Sequence, residues 1–133
     1  MRYYKELDPE NLFFTSGATE GASLLLNKRK KVCALVEHPC VKYWCKKTLK
    51  VSKSGKIKIV DLTQSSVQLA NSETGILQDL PKGLYMSDIV QAVGKIKIDV
   101  NNRIKLFTLM PKKNEIQKNR IISDIFLILF FKL

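Results

Sequence analysis

Leu12-Phe13-Phe14-Thr15-Ser16-Gly17-Ala18-Thr19-Glu20 is the stretch that decides the fold. Four β-prone residues run into a Ser-Gly pair that breaks an extended chain, and the helix-compatible residues 20–27 follow, which predicts strand, turn and helix in that order. Further along, residues 32–36 read as a buried strand, and His38-Pro39 supplies a helix entry with proline in its first turn. Val41, Trp44, Cys45, Thr48 and Leu49 then recur at helical spacing, with Lys42, Lys46, Lys47 and Lys50 between them. That periodicity predicts an amphipathic helix over 41–50. Residues 57–60 alternate with lysine like a strand, 67–70 are apolar enough for another, and short strands are expected at 84–87 and 104–108. Strands interleaved with helices predict an α/β layer architecture.

The length of 133 residues fits one domain, and 45% hydrophobic with 26% charged residues excludes a disordered, collagen-like or integral-membrane chain. Residues 1–10 carry charges where a signal peptide needs an apolar run, and three cysteines are an odd number. A secreted disulfide scaffold is therefore not expected, and a reducing cytoplasm is. The net charge is +11, and between Lys28 and Lys58 eleven Lys and Arg face the single acid Glu37. This run reads either as a solvated lysine face or as a small basic binding module for RNA or an acidic partner. No stacking aromatics or nucleic-acid motif accompany it, so no specific nucleic acid is expected. In the tail, residues 121–133 include ten apolar residues. A helix needs about 20 to span a bilayer, so a terminal strand or helix is expected there and no transmembrane segment.

Four blocks occur in one order: Phe13 to Gly21 (FFTSGATEG), Glu37-His38, Asn71-Ser72-Glu73-Thr74-Gly75, and Asp88 to Lys95 (DIVQAVGK). Together they resemble the cysteine desulfurases (NifS/IscS-like), pyridoxal-phosphate enzymes of the class V aminotransferase family. The resemblance runs in patches from about Asn11 to Lys113. It implies a partial large domain of the aspartate aminotransferase-like fold over 1–113, followed at 114–133 by a divergent apolar tail with no family match. It also implies pyridoxal 5′-phosphate as cofactor, cysteine as substrate, sulfur transfer for iron–sulfur cluster or related assembly, and a homodimer or complementing chain.

The blocks make chemical sense residue by residue. A Ser-Gly-Ala-Thr turn feeding a helix offers backbone N–H groups and a hydroxyl to an anion, so Ala18 and Thr19 could hold a phosphate, or Ser16 or Thr19 could simply cap the helix. His38, the only histidine, follows a predicted strand end, where α/β folds place their ligand crevice. It could equally be a cap. Asp88 also ends a predicted strand, and a carboxylate there can pair with a pyridinium nitrogen and keep the ring an electron sink. The resemblance implies ring stacking for His38, the ring-nitrogen partner for Asp88 and the ring-hydroxyl contact for Gln91. Lys113 falls on the position of the lysine that forms the Schiff base.

Departures from the pattern sit beside these matches. Ser72 replaces the asparagine that contacts the cofactor, and Met110, Pro111 and Lys112 replace the serine, small residue and histidine that precede the lysine. Only 62–66 and 80–83 remain where the family inserts helical crossovers, and parallel strands need a dozen or more residues to return, so an altered sheet order is expected. Cys40, near a helix start, is expected to be a lowered-pKa, reactive thiol, and Cys33 and Cys45 core residues. Cys33, His38, Cys40 and Cys45 do not match zinc spacings. The sequence thus reads as a degenerate cysteine desulfurase-like protein, inactive as this chain because the nucleophilic-cysteine loop and the substrate arginine are missing.

Overall fold

The computed structural model describes residues 12–92 and 95–97, with two further strands at Ile104–Leu109 and Phe126–Phe130. β1 (Leu12–Thr15) leads through Ser16-Gly17 into α1 (Ala18–Leu26), as the opening stretch predicts. β2 (Val32–Ala34), the single-turn α2 (Pro39–Lys42) and β3 (Lys46–Leu49) follow. β4 (Leu84–Asp88), β5 (Ile104–Leu109) and β6 (Phe126–Phe130) complete the regular elements, and the last of them lies in the apolar tail.

Hydrogen-bonded neighbours run β1-β6-β5-β4 in one sheet and β2-β3 in another. Two parallel bridges, Val32 with Ser65 and Ser66 with Met86, join them. Donation from Val67 N–H to the Met86 carbonyl (3.1 Å) and from Leu69 N–H to the Asp88 carbonyl (3.0 Å) extends that ladder. The order is therefore β3, β2, the segment 65–69, β4, β5, β6, β1. β6 is antiparallel to both β1 and β5, so β1 points the same way as every strand except β6.

Three local expectations are corrected. The amphipathic helix predicted over 41–50 stops after one turn, and residues 46–49 form β3 instead. Here tertiary pairing overrides helical periodicity: β2 has an open outer edge, Lys46 N–H donates to the Lys31 carbonyl at 2.9 Å, and Leu49 buries against Ala34, Val67 and Leu84. The strand predicted at 57–60 is absent, with only Ile57 bridging Val51 while Val60 stands 89% exposed. The crossovers, expected to be too short where only 62–66 and 80–83 remain, nevertheless return the chain to parallel neighbours. Without a strand at 57–60, all of 50–64 is free to carry β3 back to 65–69, and 70–83 carries that segment on to β4. Both connections reach the length a parallel return requires, without a crossover helix, and the first contains only the 3₁₀ turn Leu62–Gln64.

Apolar side chains gather in two clusters. Ala22, Leu25 and Leu26 of α1 pack on Cys33, Val41, Cys45 and Met86. Burying Leu25 and Leu26 contributes about 1.5–3 kcal/mol each. Ala34, Leu49, Val67 and Leu84 form a second core cluster, covered by Ile57, Ile59, Leu62 and Leu80 from the two irregular connections. Tyr85 pins α1 to β4 by donating its hydroxyl to the Leu25 carbonyl at 2.6 Å, with the Lys31 ammonium 4.0 Å above its ring centroid.

Candidate cofactor site

Because β1, β2, 65–69, β4 and β5 all point one way, their C-terminal ends share one edge of the sheet. α/β sheets place their ligand crevice outside that edge. Ala18 and Thr19 lie just past β1, Glu37 and His38 past β2, Asn71 and Ser72 past 65–69, and Asp88 and Gln91 at and after the end of β4. Lys113 lies outside the described residues, four positions beyond β5.

Asp88 is the centre of this group and only 3% exposed. Its Oδ1 accepts from Val90 N–H at 2.9 Å, and its Oδ2 accepts from the Gln68 side-chain amide at 3.4 Å. Burial pushes its carboxyl above the usual aspartate range, while the Val90 N–H and the nearby His38 pull the other way. Glu37 is fully buried beside it. Its Oε2 accepts from Gln68 N–H at 3.1 Å, and its Oε1 has no partner among the described residues. Burial first, then the Asp88 and Cys33 charges, hold its carboxyl well above the ordinary glutamate range.

His38 is exposed and caps α2, its Nδ1 accepting from Cys40 N–H at 3.2 Å and lying 3.0 Å from Cys40 Sγ. The cap reading of this histidine therefore holds, and its position also brings it within electrostatic reach of Asp88. Cys40 corrects the expectation of a reactive thiol. Burial and the Asp88 and Glu37 charges push it up to about 12, outweighing two backbone N–H groups that favour the thiolate. Cys33 and Cys45 are buried in the α1-side core, as expected. Among the described residues no His, Cys, Asp and Glu cluster could hold a metal ion.

Ser72 N–H and hydroxyl both donate to Gln68 Oε1, at 3.1 and 3.3 Å. Asn71 shapes the same turn, accepting from Glu73 and Thr74 N–H and donating to the Val36 carbonyl. Between this turn and the one after β4 lies a cleft of about 360 Å³, lined by Ser72, Gly75, Gln91 and Lys95 among others. At the β1 end, α1 has no side-chain cap on Gly17, since the Ser16 hydroxyl and N–H donate to the Glu20 carboxylate instead. Those bonds pull the Glu20 carboxyl below its usual range. The first N–H groups of α1, at Ala18 and Thr19, head a helix whose N-terminal dipole favours an anion.

Glu37 and Gln68 carry polar chemistry that sequence reading left without a role. The legible signal for Gln68 was one amide inside the otherwise apolar run 67–70.

Comparison with known proteins bears on this edge. A cysteine desulfurase of Mus musculus is 32% identical over 80% of this chain and 31% of its own length. The chain is a relative of the cysteine desulfurases. A mitosomal cysteine desulfurase of Encephalitozoon cuniculi (31% identical, 80% of this chain, 33% of its own) and cysteine desulfurase IscS of Rickettsia prowazekii (31%, 71% and 32%) match similarly. This chain thus spans about a third of the cysteine desulfurases it matches. No protein-family model matches it. Among solved structures, a NifS-like protein superposes with TM-score 0.65 over 94% of this chain and 43% of its own, at 22% identity, so the large-domain fold implied by the resemblance is the fold observed. Among the described residues no helix is long and apolar enough to cross a membrane.

Proposed function

We propose that this chain carries the cofactor-holding edge of a cysteine desulfurase architecture, binds pyridoxal 5′-phosphate weakly, and does not by itself remove sulfur from cysteine. The observation that carries this reading is the convergence of Ala18, Thr19, His38, Ser72, Asp88 and Gln91 at one edge of a parallel sheet, with a desolvated carboxyl at its centre. The donor set fits the cofactor. A buried carboxyl raised by desolvation gains from a protonated ring nitrogen.

In this reading Ala18 and Thr19 bind the phosphate through helix N–H groups and the Thr19 hydroxyl. His38 covers the ring face, Asp88 holds the proton at the ring nitrogen, Gln91 orients the ring hydroxyl and Lys113 supplies the amine that tethers the carbonyl carbon, while Ser72 lies at the same edge with its hydroxyl committed to Gln68. When bound, the cofactor supplies an electron sink for bonds at the substrate α-carbon. Cysteine is the substrate of the lineage. A homodimer or a complementing chain is the assembly this lineage implies, and three free thiols, Cys33, Cys40 and Cys45, suit a reducing compartment such as the cytoplasm.

Ser72 and Met110 each remove one polar contact, and a hydrogen bond to a charged group is worth about 1.5–3 kcal/mol. Together they weaken binding by roughly a hundredfold or more relative to a site with both contacts. Titration with pyridoxal phosphate, followed by borohydride reduction and peptide mapping, tests this. Labelling of Lys113 that saturates only at high cofactor concentration and is lost in Asp88→Ala is expected, and selective labelling already at low concentration would show an intact site and overturn the weakening. Labelling spread over surface lysines in proportion to exposure, and indifferent to Asp88→Ala, would overturn the proposed binding.

A further inference from the structure

Gln68 has one buried amide bonded at both ends. Ser72 N–H can only donate, so the atom facing it at 3.1 Å is the carbonyl oxygen Oε1, and the NH₂ end is left to donate to Asp88 Oδ2 at 3.4 Å. The Ser72 hydroxyl donates to the same Oε1 at 3.3 Å, and the Gln68 backbone N–H donates to Glu37. The side chain is 1% exposed, and burying an amide among apolar neighbours costs free energy unless both its ends are bonded.

We propose that Gln68 is a positioning residue of the cofactor edge: its amide holds the Asp88 carboxylate in place and ties it rigidly to the turn bearing Ser72. The inference rests on the reading above for its functional meaning, though the coupling itself is a property of the chain alone. Two side chains on neighbouring parallel segments, Ser72 past 65–69 and Asp88 at the end of β4, have no direct bond to one another among the described residues. Gln68, between them, makes their geometry interdependent. Its NH₂ donor meets the carboxyl that burial pushes up and that the Val90 N–H and His38 pull down, and a donor to a carboxylate favours the ionised form; Glu37 is the second buried acid beside it. The thiol of Cys40 faces the same carboxyls.

The Asp88 carboxyl is followed by ¹³C NMR across pH in the full chain without cofactor, in the wild type, Gln68→Met and Gln68→Glu. Gln68→Met keeps the volume and removes both bonds, and its Asp88 midpoint is expected about one pH unit higher, a tenfold change in proton affinity. Gln68→Glu keeps an acceptor for Ser72 and replaces the donor by an acid, so the midpoint rises there too. In the wild type the Gln68 side-chain NH₂ resonances should move with the Asp88 titration, a readout that requires no variant to fold. An unchanged midpoint in either variant that folds, or NH₂ resonances static through the Asp88 transition, overturns the proposal. Pyridoxal phosphate titration of wild type and Gln68→Met separates the two readings. Saturable binding weakened about tenfold by the substitution is expected, whereas no saturable binding to the wild type defeats the functional reading and leaves the Gln68–Asp88 coupling to the NMR result.

Discussion

Glu37 shows how a single buried acid sets a pH dependence opposite to that of an ordinary surface carboxylate. Its folded-state pKa is raised by burial and by Asp88, so the native chain binds the proton more tightly than the unfolded chain, whose value is near 4.5. Stability is then fully present below that value and falls as pH rises through the window above it, with a limiting slope of about 1.4 kcal/mol per pH unit for one proton. Asp88, raised in the same direction, adds to the trend. Glu37→Gln mimics the protonated acid and should flatten the decline, so urea midpoints of variant and wild type converge toward pH 4 and separate in the variant's favour toward pH 8. A wild-type chain that gains stability through that range relative to Glu37→Gln would contradict this account. At Cys40 a thiol pushed up to about 12 leaves little thiolate at pH 8. Alkylation by iodoacetamide, read by mass spectrometry, should be at least roughly a hundredfold slower there than for an unperturbed thiol.

The irregular connections behave as structural elements although they contain almost no regular structure. The connection 50–64 turns at Ser52–Gly55, where Gly55 N–H donates to the Ser52 carbonyl at 2.9 Å and Gly55 sits at φ 83°. A Cβ there would lie 2.7 Å from Ile76 Cγ1, so both the backbone and the neighbour refuse a side chain. Gln78 latches the same loop to the second connection, its Nε2 donating to the Gly55 carbonyl at 2.8 Å and its Oε1 accepting from Ile57 N–H at 3.0 Å. Gly55→Ala should cost more than about 1 kcal/mol through the forced conformation. Gln78→Ala should cost about 1–3 kcal/mol by orphaning Ile57 N–H. Both appear as a lower urea midpoint at unchanged slope. The two losses should not add, since both release one latch.

Among the described residues, β6 links β1 to the rest of the sheet, because β1 pairs with it and it pairs with β5. Removing residues 114–133 strips both strands of a partner. The shortened chain should lose cooperative unfolding and expose a β5 edge open to aggregation, whereas a sharp, unshifted transition would make the tail a separate appendage. The opposite edge is β3, with Lys46 and Lys47 exposed along it and Lys50 just beyond. Lysines blunt such an edge against pairing, and they also attract phosphates. RNA binding, measured by anisotropy, should be weak, indifferent to sequence and lost as salt rises from 50 to about 200 mM. Salt-resistant preference for one sequence would instead support a dedicated basic binding module.

Much of this protein was determined by sequence alone wherever the signal was local. The strand–turn–helix of 12–26 follows from β-prone residues meeting Ser16-Gly17, and β4 and β5 lie within a residue of where apolar runs put them. The ordered blocks around Ala18, His38, Ser72 and Asp88 were enough to mark a relative of the cysteine desulfurases. Tertiary structure decided what no local pattern encodes. Residues 46–49 satisfy a helical period and a strand equally, and the open edge of β2 chose between them. The parallel crossovers could be counted only once the absence of a strand at 57–60 freed those residues. The linkage of the buried Glu37, Gln68 and Asp88 to Ser72 joins positions up to 51 residues apart, on neighbouring strands whose common direction is a property of the sheet. A hydrogen bond across a sheet depends on which strands become neighbours, and that choice is made by burial and pairing over the whole chain.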